Sequence, residues 1–402
     1  MQKLPLLFCL IGLFSNPFFG QYSTTIDSLC YGRYNVGHQV ETYFNSSIDY
    51  QLNPYKGALP FQVSIWFPSS EDGQQPLTRD NYLSGKLDAK MKQVSDSLDF
   101  YAREGLLNYG ICINYKNLSL RKPTQKDQLL KDAVLNLPCK AFSSTTPKSG
   151  KWPCVFYHHG AGGDALENLI LCEYLASYGF VVVSSNFNWP SETKNTEISV
   201  SSDYEKENTL FVLDQIKQLP YVDSEQIYYV GHSWGAQVGL ALNNKTSLFN
   251  AFIILETTLE HAQMSEIPKY WPDLYEHIES NKANMVRPNY VFCSKTFWSK
   301  RKWVTPRYEY FRTLEATPQT FITYSTPLGH AAYTDCGVIR AEFADTHKQK
   351  DAKIIRDQYN VYLEMCSMIK LILQQSIKGQ QTDFSRHPKF IIEELPQKTY
   401  GI

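Results

Sequence analysis

A serine between two glycines provides the clearest chemistry in the sequence. Residues 231–235 read Gly-His-Ser-Trp-Gly, which is a G-x-S-x-G pattern. An apolar, β-favouring run at 228–230 precedes it and helix-compatible residues follow from Gln237, so the pattern predicts a tight strand-to-helix turn that exposes the Ser233 hydroxyl. A serine held in this way can attack a carbonyl carbon once a base takes its proton. The alternative is a glycine-rich turn with a structural serine.

The base should be a histidine that follows the serine in the chain. In α/β-hydrolases the order is nucleophile, acid and histidine, so the histidine is expected in a loop after the last core strand. His330 follows the apolar run 321–324, and we predict that it is the general base. His347 lies among Lys and Gln residues, while His261 and His277 come before two further strands, which makes all three weaker candidates. A loop histidine with a structural role is the remaining alternative.

The acid that orients the histidine should stand at the C-terminal end of a strand. The loop after the strand predicted at 290–293 contains no carboxylate. One strand earlier, Glu256 directly follows the apolar run 252–255, and a carboxylate in that place is costly unless it has a partner. We therefore predict Glu256 as the acid, with Glu260 and then Asp273 as alternatives. A strand-end carboxylate that caps the next segment is the structural explanation.

Two backbone N–H groups are predicted to stabilise the negative oxygen that forms during the attack. The first belongs to Trp234, the residue after the serine. The second comes from the glycine-rich loop 159–163, in which Ala161 has the matching position and the glycines let backbone N–H groups face a substrate oxygen. His158 and His159 are expected to shape this loop. A phosphate-binding loop is disfavoured because neither G-K-[ST] nor G-x-G-x-x-G occurs here.

The elements that must position these residues alternate between strand and helix from residue 152 onwards. Short apolar strands are predicted at 154–157, 180–184, 226–230, 249–255, 290–293 and 320–324, the last of them, and helices at 165–178 and 205–218. Such alternation predicts an α/β fold with a mostly parallel central sheet that helices cover on both faces.

A single domain is predicted for the mature chain, residues 21–402. Residues 69–150 are interpreted as an N-terminal elaboration, after opening strands that include 62–68. Residues 257–288 carry an aromatic pair and a proline between polar flanks, which suggests a lid or pocket wall over the serine, or an ordinary surface excursion. Residues 352–376 predict an amphipathic helix.

The net charge and the N-terminal residues narrow the binding partners and the compartment that the sequence predicts. The net charge of −1 over 402 residues gives no electrostatic case for nucleic acid. No clustered His or Cys spacing points to a metal, and no cofactor is implied. Residues 1–20 resemble a secretory signal peptide and no later stretch is apolar enough to span a membrane, so a secreted or periplasmic protein is expected. Four cysteines in apolar stretches are predicted to be buried thiols, namely Cys154, Cys172, Cys293 and Cys366.

Taken together, these motifs resemble the platelet-activating-factor acetylhydrolase-like branch of the α/β-hydrolases, a group related to dienelactone hydrolases. The resemblance runs from about residue 31 to residue 340 and is dense only after residue 150. It rests on matching positions at 34–37, 159–162, 231–235, Glu256, 289–294 and His330. Members usually carry Asp where this chain has Glu256, and often Phe or another residue at Trp234. Glutamate can do the same orienting work.

The resemblance implies hydrolysis of short or oxidised acyl esters, without a metal. We therefore expect a serine carboxylic-ester hydrolase that acts through Ser233, His330 and Glu256 on a small-molecule or lipid ester, with transient contact to a lipid surface. A serine peptidase or amidase is the alternative within the enzymes, because the same residues cleave amides. A catalytically silent binding protein of this fold is the alternative outside them.

Overall fold

The molecule is described by a computed structural model. It covers residues 29–70, 75–83, 91–114, 119–143, 145–187, 189, 202–244, 248–295, 297–299, 302–324, 329–335, 337–339 and 349–395. The predicted signal peptide and His347 lie outside these residues. Within them, no helix has the length and apolar character needed to cross a membrane.

A large mixed sheet forms the centre of the molecule. The strands of the described chain are β1 (Asn35–Leu52), β2 (Tyr55–Ser69), β3 (Pro76–Thr78), β4 (Ile113–Asn114), β5 (Ser119–Leu120), β6 (Pro138–Phe142), β7 (Trp152–His158), β8 (Val181–Ser185), β9 (Val222–His232), β10 (Phe252–Leu255), β11 (Asn289–Ser294), β12 (Phe297–Ser299), β13 (Lys302–Val304), β14 (Gln319–Tyr324) and β15 (Phe390–Leu395). Eleven of them form one sheet in the order β15-β14-β11-β10-β9-β7-β8-β2-β1-β6-β3, while β4 pairs with β5 and β12 with β13.

Six neighbouring strands of this sheet run parallel, from β14 through β11, β10, β9 and β7 to β8. On the two sides of this block, β2 pairs antiparallel with β8 and β15 pairs antiparallel with β14. In register, Leu255 at the end of β10 lies opposite His232 at the end of β9 and Phe292 of β11. The parallel arrangement therefore brings the residues that follow β9 and β10, Ser233 and Glu256, to the same edge of the sheet.

Helices cover both faces of the sheet, as the sequence predicts. They are α1 (Arg79–Leu83), α2 (Lys92–Gly105), α3 (Gln125–Leu135), α4 (Leu169–Ser177), α5 (Ser202–Ile216), α6 (Trp234–Leu242), α7 (Ile267–Tyr270), α8 (Pro272–Asn281) and α9 (Gln349–Ile377). Apolar residues of α4 and α9 belong to one core cluster, whereas those of α5, α6 and α8 belong to another. Successive residues of β7 alternate between the two clusters, with Val155 in the first and Phe156 in the second. Burial on both faces explains why these strands are almost wholly apolar.

The segment predicted as an elaboration, residues 69–150, is joined to this sheet. Its strands β3 and β6 extend the sheet beyond β1, where β6 runs parallel to β1. Between them lie α1, α2, a π-helical turn at Leu106–Cys112, the β4–β5 pair and α3. Buried residues such as Leu83, Leu106 and Leu135 pack against the same cluster as α4. The segment therefore lies at the end of the sheet formed by β6 and β3, and its helices pack against the core cluster that contains α4.

Two sequence predictions about the elements are wrong in detail. The strand at 320–324 is not the last, because β15 pairs antiparallel along its whole length with β14. Its sequence FIIEEL leaves three of the six residues exposed at the sheet edge and carries two glutamates, so it lacks the continuous buried apolar pattern of the core strands. The helix predicted from residue 165 begins only at Leu169, because residues 165–168 form turns.

The prediction for the cysteines is confirmed. Cys154, Cys172, Cys293 and Cys366 are free thiols in the buried core. Burial raises the pKa of the Cys154 thiol to about 12, so it stays protonated at neutral pH.

Candidate active site

The serine lies in a strained turn between β9 and α6. Ser233 is the N-cap residue of α6 and has φ 52° and ψ −112°, a conformation that a residue with a side chain rarely adopts. A Cβ on Gly231 would approach the carbonyl oxygen of Gly235 to 2.5 Å, and a Cβ on Gly235 would come within 2.3 Å of the carbonyl oxygen of His158. The close packing of this turn therefore requires glycine at both positions, and the strand-to-helix turn expected from the sequence is present.

His330 is placed directly against this serine. It starts a short 3₁₀ turn, His330–Tyr333, that follows β14, and its Nε2 atom lies 2.7 Å from Ser233 Oγ. Burial, more than the neighbouring His232, lowers the pKa of His330 to about 4. The imidazole is therefore neutral at physiological pH, which is the form that can accept the proton of the serine hydroxyl.

We expect activity to persist in mild acid and to disappear only as the pH approaches about 4. A protonated His330 cannot act as a base, and its pKa in the folded protein is about 4 where an exposed histidine has 6.5. The acid limb of kcat/KM against pH reports this group in the free enzyme. A limb centred near 6.5, measured where circular dichroism shows the fold intact, would contradict the lowered pKa of His330 but not its contact with Ser233.

Glu256 stands at the end of β10 in a conformation that also carries strain. Its φ is 49°, and its side chain is fully buried. The carboxylate accepts hydrogen bonds from Nε2 of His261 at 3.1 Å and from the backbone N–H of Ser294 at 3.0 Å. Within the described residues no hydrogen bond joins it to His330. The two groups are close enough to interact through their charges, and Glu256 raises the pKa of His330 in opposition to burial.

The environment keeps Glu256 ionised. Burial alone would raise the pKa of its carboxyl, but the hydrogen bond from His261, followed by the charges of His261 and His330, outweighs burial and holds the pKa below its usual value. The structure therefore places a buried carboxylate behind the Ser233–His330 pair. Its direct partner is His261. The sequence analysis considered His261 only as a weaker candidate for the base, because it lies between strands rather than after the last one.

The other predicted candidates lie elsewhere. The carboxylate of Glu260 accepts hydrogen bonds from the backbone N–H and the hydroxyl of Thr257, at 2.8 and 2.9 Å. Asp273 is exposed in the first turn of α8. Nε2 of His277 lies 2.9 Å from the carbonyl oxygen of Ala241. None of these three contacts Ser233 or His330 among the described residues.

The glycine-rich loop after β7 forms a tight turn beside the serine. The N–H of Gly163 donates to the carbonyl oxygen of Gly160 at 2.9 Å, and Gly162 has φ 72°, which is the geometry of a type II turn. The Gly160 N–H points to the carboxylate of Glu167 at 3.1 Å. Ala161 lies between Gly160 and Gly162, is exposed, and lines the cavity beside Ser233. Trp234 begins α6, where the backbone N–H has no acceptor within the helix.

Glu167 and His232 form a second buried pair that the sequence did not reveal. Nδ1 of His232 lies 3.2 Å from Glu167, and its Nε2 lies 3.2 Å from the carbonyl oxygen of His330. Glu167 also accepts from the hydroxyl of Tyr157 at 2.7 Å, in addition to the Gly160 N–H. Burial alone would raise the pKa of Glu167, but the charge of His232 and its hydrogen bond lower it to about 2. The Glu167–His232 pair therefore joins the turn around Ser233, the glycine-rich loop 159–163 and the segment that begins at His330.

Glu205 is another buried carboxyl, and it lies next to the indole of Trp234. Glu205 accepts a hydrogen bond from Trp234 Nε1, and Nε2 of His158 lies 3.6 Å from it. Burial raises the pKa of Glu205 to about 8, and the hydrogen bond from Trp234 opposes this only in part. Glu205 is therefore mostly protonated at neutral pH.

Titration of Glu205 is expected to make the free energy of unfolding fall as the pH rises from about 4.5 to 8. The variant Glu205→Gln should show a smaller fall. In this window the folded protein holds a proton on Glu205 that the unfolded chain has released, so the free energy of unfolding falls as the pH rises. Glutamine resembles the protonated carboxyl and does not titrate. Urea unfolding at pH 5 and pH 8 should give a smaller difference for the variant than for the wild type. Equal differences would show that Glu205 does not titrate in this range.

A cavity of about 210 Å³ adjoins the serine. One side is formed by Ser233, His330, Ala331 and the loop 160–164, and the other by residues of α1, α2 and α3. No residue of 257–288 is among the described residues that line it; α7 and α8, in that segment, instead bury Ile267, Leu274 and Ile278. The role of 257–288 as a lid stays a prediction.

The architecture matches that of a solved esterase. The ferulic acid esterase from Streptomyces cinnamoneus superposes with a TM-score of 0.58 over 90% of this chain and 98% of that chain, at 14% sequence identity. The fold is the α/β-hydrolase fold. In the α/β-hydrolase fold the nucleophile follows a central strand, and here Ser233 follows β9, which lies between β7 and β10.

Sequence comparison adds a second similar protein. No protein-family profile matches the chain. Dipeptidyl-peptidase 5 from Porphyromonas gingivalis is 22% identical over 265 residues, which are 56% of this chain and 39% of that protein. This chain therefore spans about two fifths of the length of the relative. The acylaminoacyl peptidase from Pyrococcus horikoshii gives a TM-score of 0.42 at 12% identity, over 60% of this chain and 40% of that one.

Proposed function

We propose that this α/β-hydrolase-fold protein is a serine hydrolase that cleaves carboxylic esters through an acyl-enzyme. The observation that carries the proposal is the 2.7 Å contact between Ser233 Oγ and Nε2 of a neutral, partly buried His330. A serine hydroxyl in contact with a neutral imidazole can be deprotonated as it attacks, which an isolated serine cannot achieve at neutral pH. The strained backbone of Ser233 supports the same role.

The reaction proceeds in two halves. Ser233 Oγ attacks the acyl carbon while His330 Nε2 takes its proton, and the oxygen that becomes negative receives hydrogen bonds from the N–H groups of Ala161 and Trp234. The C–O bond to the alcohol then breaks, and His330 gives its proton to the departing oxygen. In the second half, water loses a proton to His330 and attacks the acyl carbon of the Ser233 ester. The bond to Oγ then breaks, the acid leaves, and His330 returns the proton to Oγ.

Glu256 is proposed to favour the protonated imidazole that forms in both halves. Its charge already raises the pKa of His330 against burial. Because His261 and the Ser294 N–H hold the carboxylate in place, its contribution does not need reorganisation during the reaction.

Hydrolysis of peptides is the second candidate, and the similarity to dipeptidyl-peptidase 5 favours it. The structural match to a ferulic acid esterase extends over almost the whole of both chains and supports esters. A panel of p-nitrophenyl esters and aminoacyl anilides separates the two. Faster turnover of the anilides would favour the peptidase.

A fluorophosphonate probe tests the proposal at the serine itself. The wild type should be labelled, and Ser233→Ala should abolish labelling without a change in the thermal unfolding midpoint. Labelling that survives Ser233→Ala would remove this residue from the mechanism. An unlabelled wild type with intact fold would favour a silent binding protein.

The finer assignments from the sequence are part of the same proposal. The resemblance to the platelet-activating-factor acetylhydrolase-like enzymes supports short acyl esters and contact with a lipid surface. The resemblance of residues 1–20 to a signal peptide supports export from the cytoplasm.

A further inference from the structure

We propose that the cavity beside Ser233 is the acyl-binding pocket and that it selects an uncharged, apolar acyl group of about the size of one aromatic ring. The inference rests on the proposed function, because it names the part of the substrate that Ser233 would carry. The segment 69–150 supplies the wall that sets this selectivity.

The wall opposite the serine is apolar and comes largely from this segment. Leu83 of α1, Ala102 of α2, Leu106 of the π-helical turn and Leu135 of α3 line the cavity, and all four are buried. They also pack into the main core cluster, so the wall is supported from behind. A rigid apolar surface of this kind binds hydrocarbon by removing it from water.

The volume limits the size of the group. An apolar protein cavity of about 150 Å³ is large enough to bind benzene. The cavity here measures about 210 Å³, which admits one ring with a short linker, or a short branched chain. A long extended acyl chain would have to leave the pocket.

The charges around the cavity disfavour an anion. The guanidinium of Arg79 donates to Asp335 at 3.0 Å and to the carbonyl oxygen of Leu166 at 2.7 Å, so its charge is matched by a buried carboxylate. Glu167 is matched by His232. Asp164 also lines the cavity, and no salt bridge to it occurs within the described residues. Burial raises the pKa of the Asp164 carboxyl, against the charge of Arg79. In its ionised form Asp164 would repel a carboxylate on the acyl group.

The acyl part, rather than the alcohol, suits this pocket. The alcohol must leave before water can attack the acyl-enzyme, whereas the acyl group stays on Ser233 until the end. A pocket that adjoins the serine and has an apolar wall backed by the core serves the group that remains.

The variant Gly105→Leu tests the size limit. Gly105 lines the cavity at the end of α2, and the nearest atom outside its own helix to an added Cβ would be Asp164 Oδ2, at 4.0 Å. Leucine is favourable in a helix and would extend into the pocket. With p-nitrophenyl esters, we expect kcat/KM for 3-phenylpropanoate to fall at least ~10-fold relative to acetate, since one methylene in an apolar pocket already changes selectivity by about 10-fold or more. Leu106→Ala should have the opposite effect and improve longer acyl chains.

The variant Asp164→Asn tests the charge. The ratio of kcat/KM for a glutaric acid monoester to that for the butyrate should rise about 10-fold, while Asp132→Asn, at an exposed position of α3, should leave the ratio unchanged.

Three outcomes are distinct in these experiments. If the wild type is not labelled by the fluorophosphonate, the proposed function fails. If every variant is labelled and the acyl preference does not move, the pocket assignment fails while the function stands. If Gly105→Leu changes the preference among alcohols of a constant acyl group instead, the pocket holds the leaving group and the inference is overturned.

Discussion

Replacing His330 by alanine is expected to lower kcat by at least ~10³-fold, with little change in the unfolding midpoint. Nε2 of His330 is the basic atom that contacts Ser233 Oγ, at 2.7 Å. Without it the serine hydroxyl has no acceptor for its proton, and the departing alcohol has no donor. Single-turnover kinetics with a p-nitrophenyl ester measure the loss directly, because both acylation and deacylation depend on the same imidazole.

Two control variants make this result specific. His277→Ala removes a histidine whose contact is with the carbonyl oxygen of Ala241, and it should leave kcat within a few-fold of the wild type. His347→Ala removes the rival base of the sequence and should have no greater effect. If His347→Ala abolished turnover while His330→Ala preserved it, the base would have to be reassigned.

Replacing Glu256 by glutamine is expected to lower kcat, by less than the ~10⁴-fold lost when a carboxylate hydrogen-bonded directly to the catalytic imidazole is replaced, because Glu256 acts on His330 through its charge. Glutamine keeps the size of the side chain and can still accept a hydrogen bond from the Ser294 N–H, so the fold should survive. The charge that raises the pKa of His330 disappears, and the acid limb of kcat/KM should move to lower pH. A large loss of kcat together with this shift supports the proposed role, whereas near-normal kcat would show that the carboxylate is structural.

Glu260→Gln is the matched control for this prediction. Glu260 is also a buried carboxyl, four residues further along, but its hydrogen bonds go to Thr257. Burial, more than the charge of Glu256, raises its pKa to about 7, so glutamine is close to its neutral form. A large loss of kcat in Glu260→Gln together with near-normal turnover in Glu256→Gln would make Glu260 the acid.

The fold could be read from the sequence because its core elements have strong local patterns. Strands β7 to β11 contain short apolar runs, because parallel strands that are buried on both faces need apolar side chains on both sides. The turn around Ser233 was accessible for a similar reason, since only glycine fits at 231 and 235. The position of β15 could not be predicted in the same way, because two glutamates interrupt the apolar residues of this half-exposed edge strand.

The polar partners of the site could not be predicted, because they depend on contacts between distant segments. His261 reaches Glu256 only through the loop after β10, which folds back on itself with positive φ at Glu256 and Thr258. The pairing of His232 with Glu167 joins residues 65 positions apart. The sequence contains two signals of this pair, a histidine next to the nucleophile and a glutamate in an apolar stretch. Neither residue indicates that the other is its partner.

The position of Glu167 has a consequence for how the site comes apart. Its side chain receives hydrogen bonds from the Gly160 N–H and His232, and its own carbonyl oxygen accepts from the N–H of Asp335, just beyond the turn that begins at His330. Three segments distant in sequence thus contact one residue. Releasing Gly160 or His232 would remove a partner from the ionised carboxylate, and releasing Asp335 would leave the carbonyl oxygen of Glu167 without this donor. Partial unfolding of this region should therefore be cooperative. In hydrogen exchange, the slow amides of the three segments are expected to open with one common free energy, rather than loop by loop.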